Sequence, residues 1–112
     1  MAEFVLLYAT APDAKLAESI AAELVEARAA ACVNIIPGMR SVYRWRGKIE
    51  SADEVVLIVK TTMAAAERAR ALILERHPYE NPAVLALPLD ADCSSAAFLD
   101  WIAEETLQTR LS

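Results

Sequence analysis

Residues 76–82 have the sequence Arg-His-Pro-Tyr-Glu-Asn-Pro and form the densest group of side chains that could do chemistry. His77 is the only histidine of the chain, and an imidazole here could ligate a soft or borderline metal ion. Pro78 cannot continue a helix, so His77 is expected at a helix end, where it could instead cap the last carbonyl groups. Capping is the commoner role of a lone histidine, and both roles stay open. Glu80 is a nearby carboxylate that could accompany His77.

Two cysteines, Cys32 and Cys93, are the other soft donors. Cys32 begins a β-rich segment and could be a buried small hydrophobic residue, the commoner case, or a thiolate ligand. Cys93 follows Asp90-Ala91-Asp92 in a polar loop, where no site is implied. The chain has no Cys-x-x-Cys and no second histidine, whereas a preformed zinc site normally takes four ligands. One chain therefore offers too few soft donors, although subunits could share a site.

Lys60 is the one charged side chain among positions that otherwise look buried. It could reach solvent at an interface edge, or pair with a carboxylate such as Glu80 or Glu54. Trp45 and Tyr43 alternate along a strand-like segment and would form an aromatic edge near its end. Subunit packing explains this edge most simply, and a shelf for a ligand is the alternative.

Motifs of the common enzyme classes are missing from the sequence. It contains neither Gly-x-Ser-x-Gly nor a phosphate-binding glycine loop, and it has only two glycines. The adjacent carboxylates Asp53-Glu54 and Glu104-Glu105 are expected on solvated surfaces rather than in a catalytic pair. We therefore expect a non-catalytic protein without an organic cofactor.

The candidate residues are positioned by residues 31–62, a predicted hairpin with arms 32–46 and 49–61. Gly47 has no Cβ, so a tight reversal with positive φ costs little between the arms. Each arm could reach roughly 40 Å at ~3.3 Å per residue, which is long for a small domain. Pro37-Gly38 interrupts the first arm and predicts a bend or bulge there. The hairpin is expected to extend beyond its own subunit's core or to bend.

The second arm contains the unbroken apolar run Val55-Val56-Leu57-Ile58-Val59. Successive side chains of a strand point to opposite faces, so Val56 and Ile58 line the face opposite to the other three. A two-layer domain of this length has helices for one sheet face only. A bare second face would be adhesive, because burying one Val or Ile is worth roughly 1.5–3 kcal/mol. The hypothesis is that another copy of the chain covers this face; alternatively, loops cap part of it.

Apolar periodicity and turn residues place the remaining elements. In chain order we expect a strand at 4–8, a helix from about 12 to 29, the hairpin, a helix from 63 capped by Thr62 to about 77, a strand at 83–89, and a last helix after Ser94 or Ser95. This β-α-β-β-α-β order plus a C-terminal helix predicts an α+β, ferredoxin-like fold with an antiparallel sheet. Residues 1–112 are expected to form a single domain.

Composition narrows the classes of partner. Apolar residues make up 56% of the chain, above the usual ~45–50%, which again suggests surface reserved for other copies. The net charge is −5 and no basic block is present, so neither nucleic acid nor an anionic membrane is expected as a partner. No apolar run approaches the ~20 residues of a membrane span, and the N-terminus lacks the basic flank of a signal peptide. We expect a cytoplasmic protein with reduced thiols.

Five segments together carry a family resemblance. They are Ala-Cys-Val-Asn-Ile-Ile-Pro-Gly at 31–38, Tyr-Arg-Trp-Arg-Gly-Lys-Ile at 43–49, Val-Lys-Thr-Thr at 59–62, His-Pro-Tyr-Glu-Asn-Pro at 77–82 and Phe-Leu-Asp-Trp at 98–101. In this order they closely resemble the CutA family of divalent-cation tolerance proteins. The resemblance implies a compact homotrimer of ferredoxin-like subunits, similar in shape to PII signalling proteins, with hairpin strands extending across subunits. It also implies a cytoplasmic role in tolerance to copper and other divalent metals.

The resemblance also bears on metal ligands. In some members, copper binding is ascribed to a cysteine just before a Thr-Ala-Pro segment and to two consecutive histidines before Pro-Tyr. The matching positions here are Ala9 and the pair Arg76-His77, so only His77 is retained. Cys32 matches another cysteine that is common in the family. The candidate ligands for Cu(II) or another divalent cation are therefore His77, Cys32 and Glu80.

Two functions follow from the residues and the resemblance together. The first is a non-catalytic, trimeric protein of metal tolerance that binds copper weakly. The alternative is a PII-like small-molecule sensor or signalling protein, although the nucleotide-binding loop of PII proteins has no counterpart in the sequence. Its ligand would lie in clefts between subunits and contact Lys60, Tyr79 and Trp45. A third possibility is an assembly scaffold.

Overall fold

The computed structural model describes residues 3–107, in which four strands alternate with three α-helices and one short 3-10 turn. The strands are β1 (Phe4–Ala11), β2 (Cys32–Trp45), β3 (Lys48–Thr62) and β4 (Val84–Pro88). The helices are α1 (Ala14–Glu26), α2 (Met63–Arg76) and α3 (Ala96–Glu105), and the 3-10 turn covers Ala91–Cys93. Within the described residues, no helix combines the length and apolarity needed to cross a bilayer.

All four strands belong to one antiparallel sheet in the order β2-β3-β1-β4. The central strand β3 pairs with β1 on one side, where Leu7 lies opposite Val59, and with β2 on the other, where Cys32 lies opposite Lys60. Strands β2 and β4 form the two edges. The predicted α+β architecture with its β-α-β-β-α-β order and C-terminal helix is confirmed.

The predicted reversal and the predicted bulge both occur in the β2-β3 hairpin. Arg46 and Gly47 join the strands, with φ values of 51° and 83°. Two successive positive φ angles suit the right-handed twist of a two-residue hairpin, as in a type I′ turn. The pairing register shifts between Ile36 and Met39, on either side of Pro37-Gly38. This shift is the expected bulge, and it accompanies an elongated subunit of 48 × 34 × 22 Å.

Side-chain caps fix the starts of the first two helices. Thr62 caps α2 as predicted, because its Oγ1 accepts a hydrogen bond of 3.2 Å from the Ala65 N–H. Asp13 caps α1 in the same way, with Oδ1 2.8 Å from the Leu16 nitrogen. The α1 helix therefore begins after Asp13, and Pro12 precedes the cap instead of lying in the first turn.

Arginine side chains secure the ends of α1 and α3. The α1 helix ends at Glu26 rather than near residue 29, because Arg28 adopts the left-handed conformation with φ 58°. From there its guanidinium donates to the carbonyl oxygens of Glu104 and Glu105 at the end of α3, at 3.4 and 3.2 Å. Arg68 of α2 donates to the Arg28 carbonyl oxygen at 3.2 Å. These bonds satisfy carbonyl groups that a helix end leaves without partners.

Helices α1 and α2 cover one face of the sheet and build the main core. The side chains of Leu7 on β1 and of Leu57 and Val59 on β3 are almost fully buried against the two helices. Ile20 of α1 and Ile73 of α2 are equally buried on the helical side. The alternation along β3 thus follows the sequence prediction, with Val55, Leu57 and Val59 toward the helices.

The opposite face of the sheet, which we call the open face, carries Tyr8 on β1, Ile36 on β2, Glu54 and Lys60 on β3, and Leu85 on β4. Helix α3 covers only the end of the open face near Lys60, where Leu99 and Ile102 pack with Phe4. Large apolar side chains remain exposed along both edges of this face, namely Leu85 (62%), Leu87 (47%) and Ile36 (46%).

The prediction that Val56 and Ile58 would be bare on this face is wrong for a single chain. Val56 is only 6% exposed and Ile58 is half-buried. Val56 lies between Thr10 of β1 and Ile36 of β2, and these cross-strand neighbours shield it. The exposed apolar surface therefore belongs to the edges of the open face and not to its centre.

Candidate functional site

His77 lies directly after α2, is 9% exposed, and has both ring nitrogens engaged. Its Nε2 is 2.7 Å from the carbonyl oxygen of Thr10 on β1, and the Tyr79 N–H donates to Nδ1 at 3.2 Å. Because a carbonyl oxygen only accepts, Nε2 carries the proton and Nδ1 is the acceptor. His77 thus ties the turn after α2 to strand β1. The His77 side chain therefore does not cap the α2 carbonyl groups, which was the commoner role expected for it.

Cys32 and His77 lie at different positions along the strand direction of the sheet. Cys32 is half-buried opposite Lys60, and His77 is bonded to Thr10, which lies opposite Val56. Those two β3 residues are four positions apart, or about 13 Å along the strand. Metal–nitrogen and metal–sulfur bonds are about 2.0–2.3 Å long, so the two side chains of one chain do not share an ion.

Glu80 is exposed, and its carboxylate accepts a hydrogen bond of 3.2 Å from Arg46 at the hairpin tip. It therefore links the turn after α2 to the hairpin and does not face His77 as a free donor. Among residues 3–107, no three His, Cys, Asp or Glu side chains are grouped closely enough to hold a metal ion. The three candidate ligands are thus dispersed over one subunit.

A buried carboxylate that the sequence prediction missed lies on the open face. Glu54 is 8% exposed, whereas the adjacent Asp53 is exposed and paired with Arg40 at 2.6 Å. Ser41 Oγ donates to Glu54 Oε1 at 2.6 Å, and the phenol of Tyr79 lies near enough to this carboxylate for the charge of Glu54 to raise the pKa of Tyr79. The expectation that the Asp53-Glu54 pair is solvated is therefore wrong for Glu54.

The pKa of the Tyr79 phenol is raised above its usual value near 10. Partial burial is the main cause, followed by the nearby carboxylate of Glu54. The neutral phenol is therefore favoured beside Glu54. This proximity brings the turn that His77 anchors next to the β2-β3 hairpin.

Lys60 lies at the other end of the open face. Its Nζ is 5.2 Å from the centre of the Phe98 ring, a cation–π contact with helix α3. Six positions on β3 separate it from Glu54, or about 20 Å along the strand. The pairing of Lys60 with Glu54 or Glu80 that the sequence suggested does not form within the chain.

The predicted ligand cleft is likewise not assembled by one chain. Tyr79 contacts Glu54, and Trp45 lies near the hairpin tip with the Arg46 guanidinium 5.3 Å from its ring centre. Lys60 is at the opposite end of the sheet, below α3. A cleft that contains Lys60, Tyr79 and Trp45 together therefore requires more than one chain.

The sequence contains a partial signal for the Glu54 cluster. Glu54 is an even number of residues from Val56, Ile58 and Lys60, which places it on the same face of the strand. Its contacts with Ser41 and Tyr79 depend on the hairpin register and on the path of the turn after α2, which local patterns do not specify.

The proximity of the Tyr79 phenol to Glu54 predicts a pH-dependent contribution to stability. Replacing Tyr79 with Phe removes a polar hydroxyl beside a buried carboxylate and should lower the free energy of unfolding by up to about 1 kcal/mol near pH 7. Because the folded-state pKa is raised, this contribution is complete below the unfolded-state pKa near 10 and is lost as pH rises through the folded-state value. Denaturant unfolding at one fixed protein concentration, from pH 7 upward, measures the difference between the two proteins.

Tyr43→Phe is the matched control, because Tyr43 is an exposed tyrosine of the same face. It should change the free energy of unfolding little near pH 7, although its charge at high pH contributes to the raised pKa of Tyr79. A Tyr79→Phe effect that is absent near pH 7, or that grows as the pH rises above 10, would contradict the assignment.

Comparison with known proteins agrees with this fold along nearly the whole chain. The family of the CutA1 divalent ion tolerance protein matches residues 5–105. The divalent-cation tolerance protein CutA of Thermus thermophilus is 42% identical over 106 residues, which cover 95% of this chain and 99% of that protein. The chloroplastic protein CutA of Arabidopsis thaliana is 36% identical, and the match covers 91% of this chain but only 55% of the relative's length.

A solved structure shows the same likeness in three dimensions. The structure described as the periplasmic divalent cation tolerance protein CutA of Archaeoglobus fulgidus superposes with a TM-score of 0.86 at 40% identity, covering 96% of this chain and all of that one. Relatives are thus described from more than one compartment. With a family match over residues 5–105 and identities of 36–42% to these relatives, the chain belongs to the CutA family of divalent-cation tolerance proteins.

Proposed function

We propose that this chain acts in the cytoplasm as a homotrimer in tolerance to divalent metal ions, and that it catalyses no reaction. The observation that carries the proposal is the apolar surface left along the edges of the open face. Family membership supports the role in tolerance. The absence of a chelating group of His, Cys, Asp or Glu among residues 3–107 favours weak metal contact over tight storage of ions.

Energetics favour covering the open face. Burying a side chain such as Leu85, Leu87 or Ile36 is worth roughly 1.5–3 kcal/mol, and all three are about half exposed or more in one chain. Strands β2 and β4 also present unpaired backbone groups at the sheet edges, which invite further pairing. A closed ring of identical copies satisfies both demands without leaving an open end.

Copper would bind to donors from separate places. Cys32 offers a half-buried thiol, and His77 offers an imidazole only after it gives up its bond to Tyr79 or to Thr10. Glu80 would have to leave Arg46. Each donor therefore has a competing partner or is partly buried, which supports weak binding of Cu(II). Ligands from different copies would complete the site.

The proposed self-association predicts that a new charge weakens assembly when it lies on the open face and has no effect elsewhere. Leu85→Glu places a carboxylate in the covered edge and should weaken assembly by about 2 kcal/mol or more per interface, a change of roughly 30-fold in the dissociation constant. Light scattering coupled to gel filtration, over a dilution series, measures the molar mass.

Leu74→Glu is the control, because Leu74 is an exposed leucine on α2, away from the sheet. It should leave the molar mass as in the unmodified chain. If Leu85→Glu and Leu74→Glu give the same mass at every concentration, the open face is not the interface.

The metal part predicts that Cu(II) affinity depends on both soft donors. On a Cys93→Ser background, which removes the exposed thiol, Cys32→Ser and His77→Ala should each weaken Cu(II) binding by at least about tenfold. Equilibrium dialysis with Cu(II) measures the affinity, and circular dichroism verifies the fold of each variant. Identical binding curves for the three proteins would remove both residues from the site.

The second candidate function is a sensor with a small molecule bound between subunits, and the polar cluster of Glu54, Ser41 and Tyr79 beside the apolar residues Val56 and Ile36 of the open face favours it. Trp45 and Lys60 would line such a cleft from different copies. Nucleotides and anionic metabolites are the probes for a thermal-shift screen. A true ligand should raise the melting temperature in proportion to the logarithm of its concentration, and less so for Lys60→Met. No shift with any probe would argue against this function.

A further inference from the structure

Glu54 is a buried carboxylate whose neighbours in its own chain are neutral donors. Ser41 and Tyr79 supply hydroxyl groups, and within residues 3–107 no basic nitrogen lies within the 4 Å of an ion pair with this carboxylate. The hairpin arginines Arg40 and Arg46 pair elsewhere, with Asp53 and with the turn after α2. Burial of a carboxylate without a countercharge is costly, so its surroundings in the working protein should contain a cation.

Lys60 has the complementary property at the other end of the same strand. It is half-buried on the open face, and its ammonium group rests on the Phe98 ring without a carboxylate within 4 Å among the described residues. Its cross-strand neighbours on this face are Leu6 and Cys32, so its own sheet provides no anion. A lysine in such apolar surroundings favours a nearby negative charge.

We propose that Glu54 of one copy forms an ion pair with Lys60 of the next copy. The pair cannot form within one chain, because the two residues are about 20 Å apart along β3. Both side chains face the same, open side of the sheet, since six positions separate them. The inference rests on the proposed self-association and adds to it the charged contact that sets how the copies are aligned.

The geometry gives the neighbouring residues distinct tasks. Ser41 is a positioning residue, because its hydroxyl group holds the Glu54 carboxylate on the open face. Phe98 holds the Lys60 stem at the border between the sheet and α3. In a closed ring, each interface brings the Glu54 end of one sheet to the Lys60 end of the next. A slipped arrangement would leave both charges buried and unpaired, which gives the contact specificity as well as stability.

A charge exchange tests the pair. Glu54→Lys and Lys60→Glu should each weaken assembly at least about 30-fold, whereas the double variant Glu54→Lys/Lys60→Glu restores the pair with reversed polarity and should recover most of the loss. The readout is molar mass by sedimentation over a dilution series, with urea, which does not screen charges, added to the level that half-dissociates the unmodified assembly. Glu75→Lys and Lys15→Glu are matched controls, because they make the same charge changes at exposed positions of α2 and α1, away from the open face, and should dissociate as the unmodified chain does.

Neutral substitutions at the same two positions keep the test decisive if a reversed charge prevents folding. Glu54→Gln and Lys60→Gln should each weaken assembly, and the double variant should dissociate less than the product of the two single effects, because they remove one shared contact. Independent, multiplying effects, or a charge-exchanged double variant no better than the worse single one, would overturn the pair. If the unmodified chain is itself monomeric, the self-association proposal fails first, so the two failures are distinguishable.

Discussion

The structure depends on one constraint, the unequal cover of the two faces of its sheet. Two helices bury the face that carries Leu7, Leu57 and Val59, and within residues 3–107 only α3 and the turn after α2 reach parts of the other. Leu85 on the edge strand β4 and Ile36 on the edge strand β2 therefore stay exposed. These exposed side chains are the basis of the proposal that identical copies cover the open face.

Two charged groups of the open face with little exposure lie toward its two ends. Glu54, bonded to Ser41, lies near the hairpin, and Lys60 lies below α3. Between them the sheet presents mainly apolar side chains, with the polar Thr10 and Asn34 among them. The same separation keeps Cys32 and His77 apart, so a single subunit has no preformed chelate among these residues. The proposed assembly and the proposed weak metal contact would thus both follow from one arrangement of residues on the sheet.

Local signals were sufficient to predict the elements but not the site. The reversal at Gly47, the bulge at Pro37-Gly38 and the cap at Thr62 follow from the conformational limits of these residue types, and all three occur as expected. The bond from His77 to Thr10 joins residues 67 positions apart, so no periodicity could reveal it. The burial of Glu54 likewise depends on where the turn carrying Tyr79 crosses the sheet. The shielding of Val56 depends on side chains of two neighbouring strands.

The molar mass of the unmodified chain in solution tests the central claim most directly. Sedimentation equilibrium at micromolar concentration and neutral pH is sufficient, since the method needs no standard of shape. If two further copies cover the open face, the molar mass should be three times the 12.2 kDa of one chain and should not change on moderate dilution. A mass of 12.2 kDa for a fully folded protein would contradict the account, because the apolar edges of the sheet would then be stable in water.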